Sequence, residues 1–103
     1  MRKALFSVGQ IVHHRKFGYR GAVFDVDFEF QGTDEWYQQV ALSRPPKDKP
    51  WYHVLVDNGG SATYVAERHL EPAENLEAVD HKLIDVFFQG IENGVYISRV
   101  RSN

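Results

Sequence analysis

Cysteine is absent from the 103 residues. Disulfide staples, thiolate metal sites and cysteine nucleophiles are therefore excluded, and a reducing compartment is the natural setting. Long apolar runs are missing too: no stretch approaches the ~20 residues that a membrane-spanning helix needs. Met1-Arg2-Lys3-Ala4-Leu5-Phe6 opens as a secretory signal would, but Gly9 and Gln10 cut its apolar segment short. The expectation is a cytoplasmic protein that engages no membrane. Neither sign of charge dominates, since the formal net charge is −2, so no global field attracts nucleic acid. Neither a Gly-x-Ser-x-Gly elbow nor a Walker-type glycine loop occurs, and the reading is of no enzyme, no catalytic residues and no cofactor.

What is present is core material. Hydrophobic residues make up 43% of the chain and aromatics 14%, which suits one folded domain over residues 1–103. Trp51-Tyr52-His53-Val54-Leu55-Val56-Asp57 reads as a strand, entered through Pro50 and left through Asn58-Gly59-Gly60. Ala62-Thr63-Tyr64-Val65-Ala66 follows at once, and Asn-Gly between the two runs predicts a type I′ hairpin turn. Ser7-Val8-Gly9-Gln10-Ile11-Val12-His13 predicts a first strand. In the next, Ala22, Phe24 and Val26 alternate on one face, with Val23, Asp25 and Asp27 on the other. Residues 33–42 change to a helical period through Trp36, Tyr37, Val40 and Ala41, with Thr33 or Asp34 as N-cap and Arg44-Pro45-Pro46 as stop. Glu67-Arg68-His69-Leu70 reads as a single turn ended by Pro72. Beyond it, Asp80 caps an expected helix with the stripe Leu83, Ile84, Phe87, Phe88 and Ile91, stopped by Gly90 or Asn93-Gly94. Residues 95–100 alternate as a last strand. The fold class expected is mainly β: a small SH3-like curled antiparallel barrel with one inserted helix and a C-terminal helix plus strand.

Several constellations invite a function. Residues 1–50 carry 8 Lys/Arg against 6 Asp/Glu, whereas residues 51–103 carry 4 against 8, so an anion site belongs to the first half. Arg15, Lys16 and Arg20, interleaved with Tyr19, suit a DNA backbone, and Lys47 and Lys49, with Arg44, extend the patch if their loop folds beside it. The plainer reading is a solvated loop anchored by Phe17 and Tyr19. Trp36 and Tyr37, expected to be partly exposed, are candidate protein-interface residues. Phe87 and Phe88 join them if the tail does not pack on its own sheet, and tail packing is the alternative. The five histidines lack ligand spacing, and adjacent His13 and His14 point to opposite faces of a strand, so no metal is expected. Asp25 and Asp27 share a strand face, where turn capping is the favoured role.

Taken in order, Phe6-Ser7-Val8-Gly9-Gln10-Ile11-Val12-His13-His14-Arg15, Gly18-Tyr19-Arg20-Gly21-Ala22-Val23-Phe24-Asp25-Val26-Asp27, Glu35-Trp36-Tyr37, the Pro50-Trp51-Tyr52-His53 core, Thr63-Tyr64-Val65-Ala66-Glu67 and Leu70 resemble the HspQ family. That family is also called the YccV-like or hemimethylated-DNA-binding family. The likeness runs over residues 5–72, and within the C-terminal extension over residues 73–103 the tail from His81 to Asn103 resembles the family more loosely. Phe28 and Lys82 stand where the family usually has proline. The resemblance implies a cytoplasmic heat-shock or stress protein with an SH3-like barrel. It implies binding to hemimethylated double-stranded DNA, or a role as substrate and specificity factor of a Lon-type protease. It also implies a homo-oligomer such as a trimer.

Overall fold

The computed structural model describes residues 3–99. Five strands form one antiparallel sheet: β1 (Ile11–His14), β2 (Arg20–Asp27), β3 (Trp51–Val56), β4 (Ala62–Ala66) and β5 (Leu70–Pro72), in the order β4-β3-β2-β1-β5. The helix α1 (Asp34–Val40) is inserted between β2 and β3, and a 3-10 turn (Glu67–His69) joins β4 to β5. The C-terminal part holds one helical turn, α2 (Ile84–Phe87), and the hairpin β6 (Phe88–Glu92)–β7 (Val95–Ser98). Among the described residues β4 and β5 do not pair, so the sheet has two edges and is not a closed barrel.

Strand β3 explains the architecture. Five of its six residues are buried, because both faces of the sheet are covered. On one face Tyr52 and Val54 pack with Val12, Val23, Val65, Leu70 and Phe6. On the other, Leu55 joins Ile11 and Ala22 beneath Ala73, Val79, Phe88 and Tyr96 of the C-terminal extension. Trp51 heads a third cluster with Tyr37, Ala41 and Ala66, against which Phe30, Trp36 and Tyr64 pack. A continuous apolar run is what a strand covered twice requires.

Local structure departs from the sequence pattern at identifiable points. The β2–β3 register shifts between Val23 and Asp25. This bulge leaves Ala22 and Phe24 with the extension but turns Val26 onto the face of Val23, opposite to the simple alternation. Asn58 is left-handed (φ 61°), yet the next positive φ belongs to Gly60 rather than Gly59. The β3–β4 connection is accordingly not a two-residue turn; the Val56 N–H reaches across it to Ser61 O at 3.0 Å. The type I′ turn instead lies at Asn93-Gly94 (φ 52° and 77°), between the paired residues Glu92 and Val95. The expected long helix after Asp80 is thus one turn followed by a strand. Aromatic and β-branched residues there find a partner strand, which outweighs the helical spacing. Thr33 does cap α1, its Oγ1 accepting from Trp36 N–H at 3.1 Å.

Candidate functional site

The residues first read as a phosphate-binding patch are spent on different tasks. Arg20 starts β2 with its side chain only 15% exposed. Its Nη1 donates to Asn75 O and Glu77 O, both at 2.9 Å, and its Nη2 to Asp57 Oδ2 at 3.0 Å. It therefore clamps the extension to the β3–β4 connection and is not offered to a ligand. Arg15 Nε donates to Leu70 O at 3.1 Å, and its Nη1 lies 3.5 Å from Glu71. Tyr19 shares a 2.9 Å hydrogen bond with Thr63 Oγ1 and packs against the core, and burial raises its phenol pKa. Arg44 holds the last carbonyls of α1, those of Tyr37 and Gln38. Lys47 pairs with Asp34 at 3.2 Å and stands 4.4 Å from the Tyr37 ring centroid. Lys16 and Lys49 are exposed.

The aromatic candidates also separate. Tyr37 is buried, contrary to the expected partial exposure, and its hydroxyl donates to Pro45 O at 2.6 Å. Phe88 is buried at 1% exposure within the core, which removes it from the accessible surface. Phe87 is partly buried on Phe24, with ring centroids 4.6 Å apart. Trp36 remains half-buried. The extension packs on its own sheet, so Leu83, Ile84, Phe87 and Phe88 cover the core, while Ile91 is exposed.

Trp36 lines the larger concavity, a groove of about 490 Å³ that runs along the whole of β4. One wall is the end of α1 and the turn after it, where Val40 (55% exposed) and Leu42 (79%) face solvent. The other wall is the β1–β2 loop with His14, Lys16, Phe17 (71% exposed) and Tyr19. Ser43 Oγ and His69 Nε2, hydrogen-bonded at 2.8 Å, tie the α1 wall to the 3-10 turn at the end of β4, as does Arg68 Nη2, which donates to Ser43 O at 2.6 Å. Among the described residues, no Asp or Glu lines the groove. A concavity lined mainly by apolar and aromatic side chains, with a few polar groups among them, is a candidate ligand site.

The loop wall is held by His14. Its Nδ1 accepts the N–H groups of Lys16 (3.1 Å) and Phe17 (3.0 Å), so in the neutral ring the proton sits on Nε2. The ring stacks on Phe17 at 4.5 Å and on His69 at 5.7 Å. Burial lowers the pKa of both imidazoles; His69 adds to the effect on His14, and Arg68 adds to the effect on His69.

A second, shallower depression lies beside Asp27, His53 and Tyr64. Ligand atoms of Asp25, Asp27 and His53 fall within 4.8 Å of one another. Asp27 Oδ2 already accepts from Tyr64 OH at 2.6 Å and pairs with His53 Nε2 at 3.0 Å, while Asp25 Oδ1 accepts from Val26 N–H at 2.9 Å. Asp27, His53 and Tyr64 hold the end of β2 against β3 and β4, whereas Asp25 bonds the backbone inside β2, beside the bulge, instead of capping a turn. Tyr64 has its pKa raised, by burial first and then by the Asp27 carboxylate.

Sequence reasoning missed Phe17 as a surface residue, and missed Val40, Leu42 and His69 altogether. Helical spacing did not mark them: Val40, three residues after Tyr37, falls on the same side as the core residues Tyr37 and Ala41, and only the structure shows it 55% exposed.

The arrangement defines a small antiparallel β protein with a groove along one sheet edge. The chain belongs to the YccV-like family, whose model, described as hemimethylated DNA-binding protein YccV like, matches residues 4–95. Among the described residues no helix is long and apolar enough to cross a membrane.

Proposed function

We propose that the protein is a non-catalytic binding module of the HspQ type, acting in the cytoplasm on proteolysis by docking polypeptide. In this reading the sheet is an SH3-like scaffold, and the partner is a Lon-type protease or one of its substrates. The observation that carries it is the groove beside β4, whose lining has no carboxylate and whose rim exposes Phe17, Val40 and Leu42. Solvent-facing apolar side chains gathered at one concavity favour a protein partner. The test is degradation of a model substrate by purified Lon-type protease with increasing amounts of this protein. The expected result is a changed rate that Leu42→Glu abolishes; a constant rate across stoichiometric excess would refute the proposal.

Recognition of hemimethylated DNA is the second reading, favoured by the family description. Its support in the chain is narrow. Arg20 is occupied with the extension, and Arg15 and Lys47 each have an acidic neighbour. Lys16 and Lys49 remain the most available of the candidate cations. Two phosphate contacts give a salt slope of about −2 in log K against log [salt]. Binding to hemimethylated, fully methylated and unmethylated duplexes at two salt concentrations tests this reading. Equal affinities for the three would exclude specific recognition. Self-association, as a trimer or otherwise, is proposed from the resemblance and is read by sedimentation.

A further inference from the structure

The edge of β4 has a defined hydrogen-bonding phase. At one end the Val56 N–H donates to Ser61 O (3.0 Å), and at the other the Glu67 N–H donates to Pro50 O (3.1 Å). Opposed residues of an antiparallel pair alternate between bonded and non-bonded positions. With the register Val54↔Thr63 and Tyr52↔Val65, Thr63 and Val65 bond to β3. Ala62 and Tyr64 then turn their N–H and C=O groups away from the sheet, into the groove, whereas Ala66 is buried and caps the 3-10 turn. No other strand covers this edge among the described residues. An uncovered edge is a template for a further strand.

The two walls differ in chemistry. The side chains of Tyr64 and Ala66 lie on the α1 side, in the cluster of Trp51 and Tyr37. Thr63 and Val65 lie on the side of Tyr19 and the loop that carries Lys16. A strand laid along β4 points alternate side chains to these walls. One set meets Trp36, Val40 and Leu42; the other meets Lys16 with no carboxylate to oppose it. We infer that the groove takes an extended segment of a partner polypeptide as a sixth strand, antiparallel to β4, with apolar residues alternating with acidic ones. The inference rests on the polypeptide-docking reading and names the partner's conformation and charge.

The probe is an acetylated, amidated heptapeptide of alternating glutamate and valine, titrated into 15N-labelled protein. Saturable shifts centred on the amides of Ala62, Thr63 and Tyr64 are expected. Opposed residues in an antiparallel pair share a face, so valines on the α1 side are those that bond to β4. N-methylation of the three valines should therefore weaken binding at least about tenfold, and N-methylation of three of the four glutamates should leave it within about twofold. Replacing the glutamates by lysines should weaken binding to the natural protein, and Lys16→Glu should reverse that preference. Absence of shifts on β4, or equal affinities of the two methylated isomers, would overturn the inference. Equal, undiminished affinities of the two isomers would overturn strand addition while leaving polypeptide docking in place. A constant Lon-type protease rate together with isomer-selective binding would support strand addition while refuting the protease reading.

Discussion

Arg20 is the residue whose role differs most between sequence and structure. A cation in a basic, aromatic loop suggests a phosphate, yet its guanidinium is enclosed by Asp57 and by the carbonyls of Asn75 and Glu77. Arg20→Gln leaves Asp57 and the carbonyls with weaker partners and should cost about 2–3 kcal/mol in urea unfolding, the range for hydrogen bonds to charged groups. Unchanged stability would refute the clamp. His14 and His69 make the molecule sensitive to acid. Both have pKa values lowered from 6.5, so the folded chain binds fewer protons than the unfolded chain just below that pH. Their stabilising contribution is complete above about pH 6.5 and is lost as pH falls through the folded pKa values. The melting temperature should fall from pH 6.5 towards pH 5, and less steeply in His69→Gln. Equal slopes in the two proteins would remove His69 from the account.

At the scale of elements, the decisive joint is between the segment before β1 and the hairpin β6–β7. Gly9 has φ 95°, and a Cβ placed there would lie 2.2 Å from Tyr96 O. The closeness is functional for the fold, because the Tyr96 N–H donates to Gly9 O at 2.8 Å and the Gly9 N–H donates to Val23 O at 2.8 Å. Tyr96 continues the joint: its hydroxyl accepts the Val79 N–H at 2.7 Å. Gly9→Ala should therefore destabilise the protein by at least about 2 kcal/mol, combining positive-φ strain with a backbone clash. Thermal unfolding measures it, and a loss under half that size would mean the hairpin shifts freely. The helix α1 is anchored differently, by its Thr33 cap and by Tyr37 packed beside Trp51.

For the whole molecule, the sheet is a layer with cores on both faces, and the C-terminal extension supplies one of them. Phe88 stacks on Tyr96 with ring centroids 4.9 Å apart and packs with Ile11 and Leu55. Phe88→Ala should cost about 3–5 kcal/mol, as for large aromatic truncations in a core, and is read by denaturant unfolding. A loss below about 1 kcal/mol would place the extension outside the cooperative unit. The N-terminal segment closes the other face. The Leu5 N–H donates to Glu67 Oε2 and the Phe6 N–H to the Tyr52 hydroxyl, which itself donates to Glu67. These covers leave the groove along β4 open between α1 and the β1–β2 loop.

The strands Trp51–Val56 and Ala62–Ala66, the helix capped by Thr33 and the turn Glu67–His69 were legible because local chemistry determined each of them. Aromatic and β-branched runs prefer sheet, a threonine side chain satisfies free N–H groups, and proline halts a helix. The family pattern was legible for the same reason, since it resides in ordered short motifs. Tertiary structure decided the rest. Whether Asn-Gly makes a two-residue turn depends on the strands around it, which is why Asn93-Gly94 does and Asn58-Gly59 does not. Whether Phe88 is surface or core depends on the sheet face that needs covering. Whether Arg15, Arg20 and Lys47 form one basic face depends on which acids and carbonyls the fold brings to them, and those partners lie in other segments of the chain. The groove, too, exists only once β4 is left as an edge between α1 and the β1–β2 loop. Local preference is written residue by residue, whereas an edge, a cover and a charge partner arise from distant segments meeting.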